Sequence, residues 1–203
     1  PVGSITQMAT IKMQNGKEMP IKDIVPIADL KDIVFGGWDI FPENAYQAAV
    51  YAEVLKAKDL EPIRTELESI TPMKAAFDHN YAKRLNGTFI KDTQTRWDMV
   101  EQLRADIRNF KEQNQCDRIV VLWAASTEIF IAPSAEHQSL QALEKAMKEN
   151  NTTVIPPSMC YAYAAIAEGC PFIMGAPNLC VDIPAIWEFS EKMNVPIAGK
   201  DFK

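Results

Sequence analysis

Small, hydroxylated and charged residues follow four short apolar runs in this 203-residue sequence. Small side chains after a buried strand let a ligand come close to the backbone. In the first run an acid, Asp39, follows two glycines and a tryptophan, and a carboxylate can accept two hydrogen bonds from a ribose diol. The sequence therefore predicts a ligand edge of nucleotide-like chemistry at residues 36–39, 124–128, 175–178 and 199–203.

Each of these features also has a plainer interpretation. Asp39 can instead cap the helix that follows it, and small residues after a single strand often form only a turn. Lys200 and Lys203 can be ordinary solvated charges. No G-x-G-x-x-G motif occurs, so the phosphate-binding first turn of a dinucleotide fold is absent from this sequence. The residues by themselves indicate an α/β sheet with a ligand edge.

The elements that must position these residues alternate between strand-like and helix-like patterns. Such alternation is typical of a parallel sheet covered by helices. The run at 118–125 is apolar throughout, which is typical of a strand buried on both faces. Residues 72–95 are polar and irregular. The predicted strands are 33–38, 118–125, 171–178 with its closing turn, and 195–199. The predicted helices are 43–55, 60–70, one through 100–110, one through 140–147, 156–169 and 183–194.

Composition excludes several classes of function. The net charge of −6 and the pI near 5.0 argue against a nucleic-acid or anionic membrane surface. No apolar run approaches the ~18 residues of a membrane span, and no secretory leader is recognisable, so we expect a cytoplasmic protein. The four cysteines form no C-x-x-C pair and are predicted to be reduced, packed thiols. The two histidines form no metal-binding motif, and no residue is assigned to a metal.

Several long motifs carry a more specific signal. These motifs are FGGWDIFPENAYQAA, RLNGT, CDRIVVLWAASTE, PSMCYAYAAIAEGCPFIMGAPNLCVDIPA and VPIAGKDFK. On these motifs the chain resembles inositol-1-phosphate synthase in its bacterial and archaeal form, in one order from its first residues to its last. The resemblance implies a Rossmann-like parallel sheet covered by helices but lacking its first βα unit. It also implies that residues 1–203 are a partial NAD-binding domain, with the start of the catalytic domain near 199–203.

The resemblance also implies a reaction. The family converts D-glucose 6-phosphate to 1D-myo-inositol 3-phosphate, also called 1L-myo-inositol 1-phosphate, without net redox change. NAD-dependent oxidation at C5 is followed by enolisation, an intramolecular aldol cyclisation and reduction, and lysines stabilise the developing negative charge. The implied setting is a cytoplasmic homotetramer of inositol and phospholipid biosynthesis. A requirement for a divalent metal ion stays open. We expect this chain to be an internal part of a longer synthase, inactive by itself.

Carried over position by position, the resemblance assigns cofactor-binding residues to the predicted edge. Ala124 and Ser126 replace Thr and Asn of the family's W-T-A-N-T-E stretch, and Met174 replaces the usual Asn before the glycine turn. Asp39 matches the acid of the family's GGWD motif. The assigned cofactor-binding residues are Asp39, Ala75, Ala76, Asn86, Ala124, Ala125, Ser126, Thr127, Gly175, Ala176 and Asp201.

The catalytic assignments fall at the end of the chain. Asp201 matches the second acid of the family's GDDFK motif, Lys200 replaces the first acid, and Lys203 matches an active-site lysine. Two alternatives stay open. One is another NAD-dependent sugar-phosphate oxidoreductase on a related sheet. The other is a non-catalytic nucleotide-binding module, which the substitutions at Ala124, Ser126 and Met174 keep in consideration.

Overall fold

The computed structural model describes residues 8–202, which divide into two compact units between Phe35 and Gly36. The first unit contains an antiparallel hairpin of β1 (Thr10–Lys12) and β2 (Glu18–Pro20). A short helix, α1 (Ile21–Ile24), and a 3₁₀ turn (Leu30–Asp32) follow. The side chain of Asp29 accepts a hydrogen bond from the backbone of Lys31 and so begins that 3₁₀ turn.

The strand predicted at 33–38 is wrong except for its last residue. Ile33, Val34 and Phe35 are 39%, 49% and 69% exposed, and no strand within residues 8–202 pairs with them. An extended segment gains stability from a paired neighbour and a buried face, and this run has neither. The strand that forms is β3 (Trp38–Asp39), at the start of the second unit.

The second unit contains the other helices and strands, and they follow the predicted order. The predicted helix at 60–70 forms as two short helices separated by a 3₁₀ turn (Glu61–Ile63). A further 3₁₀ turn is Ala135–His137. The helices are α2 (Ala45–Ala52), α3 (Ala57–Leu60), α4 (Arg64–Ser69), α5 (Arg96–Gln113), α6 (Leu140–Lys148), α7 (Pro157–Ala167) and α8 (Pro184–Met193). After β3, the strands are β4 (Met73–Lys74), β5 (Val121–Trp123), β6 (Phe172–Met174) and β7 (Ile197–Gly199).

All strand pairs in the second unit are parallel, which confirms the predicted α/β class. β5, β6 and β7 form a three-stranded sheet in that order, and β3 pairs with β4 in a separate two-stranded sheet. The prediction of a strand buried on both faces at 118–125 is wrong. Val121 and Trp123 are buried, whereas Val120 and Leu122 are 58% and 50% exposed. Successive side chains point to opposite faces of a strand, so only one face of β5 packs against the helices.

Helix α7 lies at the centre of the core. All of its residues from Pro157 to Ile166 are buried, and it packs against α5, α8 and β6. A helix that is predominantly hydrophobic on every side can be buried on every side. Tyr163 of this helix stacks on Phe189 of α8, with ring centroids 4.5 Å apart. The helix therefore connects the sheet to the layer of helices.

The cysteines form no disulfide bonds, and three of them are buried. Cys160, Cys170 and Cys180 are free and buried, and Cys116 is free and half-buried, so the prediction of packed thiols is confirmed for three of the four. Residues 8–202 contain no group of three His, Cys, Asp or Glu side chains placed to hold a metal ion. Over the same residues, no helix has the length and hydropathy needed to cross a bilayer.

One buried ion pair fixes the irregular segment 72–95 to the helices. The Arg96 guanidinium contacts the Asp78 carboxylate and donates from Nε to the carbonyl of Ile155 at 2.8 Å. Only 5% of Arg96 is exposed. Burial alone would raise the pKa of Asp78, but the hydrogen bonds from Arg96 and from the Asn80 backbone outweigh it and hold that pKa below its ordinary value.

We therefore expect Arg96→Met to lower the free energy of unfolding by about 3–5 kcal/mol, because it leaves the Asp78 carboxylate buried without its cation. Urea unfolding of this variant and of wild type measures the difference. Arg64→Met is the control, since Arg64 pairs with Glu68 on an exposed helix face and its removal should change stability little. Equal stability of Arg96→Met and wild type would contradict a structural role for the buried pair.

Candidate functional site

The three parallel strands of the larger sheet end in register. Trp123 lies opposite Met174, and Met174 lies opposite Gly199. Because these are the last residues of β5, β6 and β7, the three following segments leave the same edge of the sheet. The predicted site residues brought to this edge are Ala124, Ala125, Ser126, Thr127, Gly175, Ala176, Lys200 and Asp201.

The segment 124–127 is the open part of this edge. Its four residues are all exposed, although Trp123 before them and Glu128 after them are buried. None of the four makes a hydrogen bond to any other residue between 8 and 202. The side chains are small, so the backbone amides and carbonyls of this segment are accessible to a ligand.

Gly175 is required by close packing at the same edge. Its backbone N–H donates to the carbonyl of Trp123 at 3.0 Å. A Cβ placed on Gly175 would lie 2.5 Å from that carbonyl oxygen and 2.1 Å from a ring carbon of Phe202. The Phe202 ring is 63% exposed and can move, but the carbonyl belongs to the backbone of β5. The glycine therefore keeps the ends of β5 and β6 together.

Asp39 ends the other parallel pair. It lies opposite Lys74, so the segment beginning at Ala75 leaves its sheet at the same end as Asp39. The Asp39 side chain is exposed, and its Oδ1 accepts a hydrogen bond from the Phe41 backbone at 3.0 Å. The alternative role as a helix cap is wrong, because the following helix α2 is capped by Asn44.

The segment that carries Asn86 packs against Ile40, the residue that follows Asp39. Phe89 N–H donates to the carbonyl of Ile40 at 2.9 Å. A Cβ on Gly87 would meet Ile40 at 2.3 Å, so the turn that carries Asn86 packs directly against the residue after Asp39. Asn86 itself is exposed.

Tyr161 of helix α7 contacts both groups of predicted residues. Its hydroxyl accepts a hydrogen bond from the Ala76 backbone at 2.9 Å. Its ring packs edge-on against Trp123 at the end of β5 and against Trp38 of β3, with centroid distances of 5.4 and 5.1 Å. The sequence predicts Tyr161 only as part of the helix at 156–169. An aromatic hydroxyl in a run of alanines is the signal that could have identified it.

The catalytic candidates lie after β7. Lys200 Nζ is 2.6 Å from Asp182 Oδ2, and both side chains are partly exposed. Burial alone would raise the pKa of Asp182, but the hydrogen bonds from Lys200 and from the Cys180 backbone outweigh it and lower that pKa. Asp201 is half-buried and adopts the left-handed backbone conformation, with φ of 70°. Lys203 lies outside the described residues.

Glu128 lies within the predicted ligand edge 124–128, although the sequence assigns it no individual role. Its carboxylate is 7% exposed and accepts hydrogen bonds from the Ser158 backbone at 3.0 Å, from the Ser158 hydroxyl, and from Asn178 Nδ2 at 3.1 Å. Burial raises its pKa from an ordinary value of 4.5 to about 7, against the lowering effect of the Ser158 hydrogen bonds. The signal was present in the sequence as an acid at the end of the small-residue segment 124–127.

Gly175→Ala should lower the free energy of unfolding by about 1–3 kcal/mol, because the new methyl group overpacks the backbone contact with Trp123. Thermal or urea unfolding measures the change. Gly37→Ala is the matched control, since a Cβ at Gly37 meets nothing within 4 Å and should leave stability equal or slightly higher. A stable Gly175→Ala protein would show that β5 and β6 can separate without loss.

Glu128 should also make stability depend on pH. Its folded-state pKa is raised, so its contribution is fully present below about pH 4.5 and is lost as the pH rises through 7. Between pH 5 and 8 the wild-type free energy of unfolding should therefore fall by about 2–3 kcal/mol more than that of Glu128→Gln, which does not titrate. Urea unfolding at both pH values tests this. Parallel pH profiles for the two proteins would show that the carboxyl group does not titrate in this range.

The chain is similar to known proteins over its full length. Residues 2–203 match the NAD-binding family described as myo-inositol-1-phosphate synthase. The chain is 72% identical over 203 residues to inositol-3-phosphate synthase 1 of Bacteroides thetaiotaomicron, and all of it is covered by the match. It is 37% identical over 215 residues to inositol-3-phosphate synthase of Trypanosoma brucei brucei, again across the whole chain.

Two solved structures are also similar. Inositol-3-phosphate synthase of Caenorhabditis elegans superposes with a TM-score of 0.89 at 30% identity, covering 100% of this chain and 41% of its own. A myo-inositol-1-phosphate synthase-related protein of Thermotoga maritima shares the fold, with a TM-score of 0.55 at 19% identity over 82% of this chain and 42% of its own. The chain spans 47% and 40% of the Bacteroides and Trypanosoma proteins, less than half of each. Because residues 2–203 match the family, this chain belongs to the myo-inositol-1-phosphate synthases and corresponds to their NAD-binding part.

Proposed function

We propose that the protein carrying this chain is an NAD-dependent inositol-3-phosphate synthase that converts D-glucose 6-phosphate to 1D-myo-inositol 3-phosphate. The chain supplies the cofactor edge of that enzyme. The observation that carries the proposal is the common end of three parallel strands in a chain matched along its length by the synthase family. In open α/β sheets, ligands bind at the carboxyl ends of the strands.

The residues at this edge and at the end of the β3–β4 pair fit a dinucleotide. The exposed Asp39 carboxylate suits a ribose diol, and the small, exposed segment 124–127 allows close approach to the backbone. Trp123 adds a buried indole N–H that has no partner among residues 8–202. A buried donor without a partner is costly, and a polar group of a bound ligand would satisfy it.

In this proposal each residue of the chain has a limited task. Bound NAD would supply reversible hydride transfer, which is why the reaction shows no net redox change. Asp39 would accept hydrogen bonds from ribose hydroxyls, and Ala75, Ala76 and Asn86 would line the neighbouring strand end. The segment 124–127, with Gly175 and Ala176, would hold the cofactor from the larger sheet. Tyr161 keeps the two groups in place by contacting both Ala76 and Trp123.

Lys200 and Asp201 are assigned to the substrate side of the edge, with Lys203 beside them in sequence. The Lys200 ammonium is a fixed positive charge, because Asp182 holds it at 2.6 Å. Such a charge stabilises a developing alkoxide or enolate and attracts a phosphate monoester. Lys200 therefore acts through its charge, and no proton transfer is assigned to it.

The resemblance to the family also supports an assembly and a location. We extend the proposal to a homotetramer in the cytoplasm that serves inositol and phospholipid synthesis. The boundary of the NAD-binding domain, with the catalytic domain beginning near 199–203, is part of the same proposal. A divalent metal ion in the full-length enzyme stays an open requirement.

Two measurements test the proposal. Calorimetric titration of NAD+ into this chain should show binding, and Asp39→Asn should weaken it about tenfold, because a hydrogen bond to a charged acceptor contributes ~1.5 kcal/mol or more. Asp59→Asn is the matched control, because Asp59 is an exposed acid on α3, and this variant should bind NAD+ as wild type does.

A phosphorus NMR assay with glucose 6-phosphate and NAD+ tests turnover. It should show inositol phosphate from a protein extended to the length of the relatives, and none from the chain alone.

The outcomes separate the candidate functions. Cyclised product without accumulating NADH supports the synthase. Accumulating NADH with an open-chain product would favour another sugar-phosphate oxidoreductase. NAD+ binding without turnover in the extended protein would favour a non-catalytic binding module, and it would overturn the proposed activity.

A further inference from the structure

The carboxylate of Glu128 joins three segments of the sheet edge. Its Oε1 accepts a hydrogen bond from the Ser158 backbone at 3.0 Å, in the first turn of α7. Its Oε2 accepts from the Ser158 hydroxyl and from Asn178 Nδ2, in the segment after β6. The backbone N–H of Glu128 donates back to Asn178 Oδ1 at 3.0 Å. One side chain therefore connects the segments after β5 and β6 to the start of a buried helix.

This residue is also the first fixed point after β5. The Trp123 carbonyl is held by Gly175, and the next residue with a hydrogen bond to the rest of the described chain is Glu128. The exposed segment 124–127 spans the distance between these two points without hydrogen bonds of its own to residues 8–202. Its path is therefore set at one end by the sheet and at the other by Glu128.

We propose that Glu128 is a positioning residue for cofactor binding, which holds segment 124–127 and the segment after β6 in the one arrangement that receives NAD. The inference rests on the proposed function of this edge. Glu128 needs no contact with the cofactor to act in this way, because it acts through segment 124–127 and Asn178. No residue assigned to the cofactor from the sequence has this task.

The chemistry of the cluster excludes an amide at position 128. Three donors, two from Ser158 and one from Asn178, converge on the two carboxylate oxygens. A carboxyl group keeps all three contacts in either protonation state, because a protonated Oε2 can donate to the Ser158 hydroxyl in place of accepting from it. An amide places an N–H opposite Asn178 Nδ2, which is also a donor, so the contact between the two side chains must break.

The Glu128 carboxyl group changes charge near neutrality, so affinity must be compared at two pH values. Burial raises the pKa of Glu128 to about 7, so its charge changes across the physiological range. Arg96 of α5 favours the ionised form, whereas Asp78 of the segment 72–95 opposes it. The remaining titratable groups that interact with Glu128 are Tyr81, Cys160, Tyr161 and Cys180. Burial raises the pKa of each of these four, so none of them gains charge between pH 6 and 8.

Calorimetric titration of NAD+ into the full chain at pH 6 and pH 8 tests the inference. Wild type should bind with about equal affinity at both pH values, because the carboxyl group keeps its contacts in either protonation state. Glu128→Gln should bind about tenfold more weakly than wild type at both pH values. Glu168→Gln is the matched control, because Glu168 is a partly buried carboxylate at the opposite end of α7 that pairs with Arg104 and Arg108. It should follow wild type at both pH values.

A swapped pair tests the geometry directly. In Glu128→Gln with Asn178→Asp, the amide and the carboxylate exchange places, and the donors and acceptors between the two side chains match again. This double variant should recover most of the NAD+ affinity that Glu128→Gln loses. Unchanged affinity in Glu128→Gln would overturn the inference. Tighter binding in Glu128→Gln would also overturn it, because the carboxylate would then be repelling the cofactor.

Hydrogen exchange separates this inference from the proposed function. The amide hydrogens of Glu128 and Ser158 should exchange faster in Glu128→Gln than in wild type, and those at the far end of α7 should not change. If wild type binds no NAD+, the proposed function fails, and exchange still decides whether Glu128 holds the edge together. Equal exchange in the two proteins would show that it does not.

Discussion

The burial of helix α7 is the constraint on which the rest of the second unit depends. The helix is covered on every side, with Met159, Ala162 and Ile166 fully buried, so its position cannot adjust without opening the core. Two polar groups extend from it toward the strand ends, Ser158 in its first turn and Tyr161 one turn later. Ser158 holds Glu128, and Tyr161 holds Ala76 while its ring contacts Trp123. The apolar packing of one helix thus fixes where the polar edge lies.

The second unit combines a well-packed interior with an exposed segment, 124–127, at the edge of its larger sheet. Segment 124–127 has no hydrogen bonds to the described chain beyond its ends, and it lies between a buried tryptophan and a buried glutamate. A segment of this kind can accept a ligand along its backbone without first breaking internal contacts. The cost is a carboxylate held in an apolar environment, which the three donors of Ser158 and Asn178 offset only in part, since the pKa of Glu128 remains raised.

The structure also bears on the positions where this chain departs from the family motifs. Met174 is 1% exposed and faces the core as the last residue of β6, so a methionine there contributes packing. Ala124 and Ser126 lie on the exposed segment, where a change of side chain alters the groups offered to a ligand. The residue at position 174 therefore affects core packing, whereas those at positions 124 and 126 affect the groups that a ligand can contact.

Local sequence determined the type and order of most elements, because capping residues, apolar spacing and glycines act over a few residues. The capping boxes at Asn44 and Thr95 and the periodic leucines of α6 are visible without any structure. The alternation of strands and helices also predicted a ligand site at the strand ends. Only the tertiary structure decided which apolar runs became strands, since Ile33 and Val34 are as apolar as Val121 but have no pairing partner among residues 8–202. It also decided the roles of Glu128, Ser158 and Asn178, because their contacts join residues 30 and 50 positions apart that no local pattern relates.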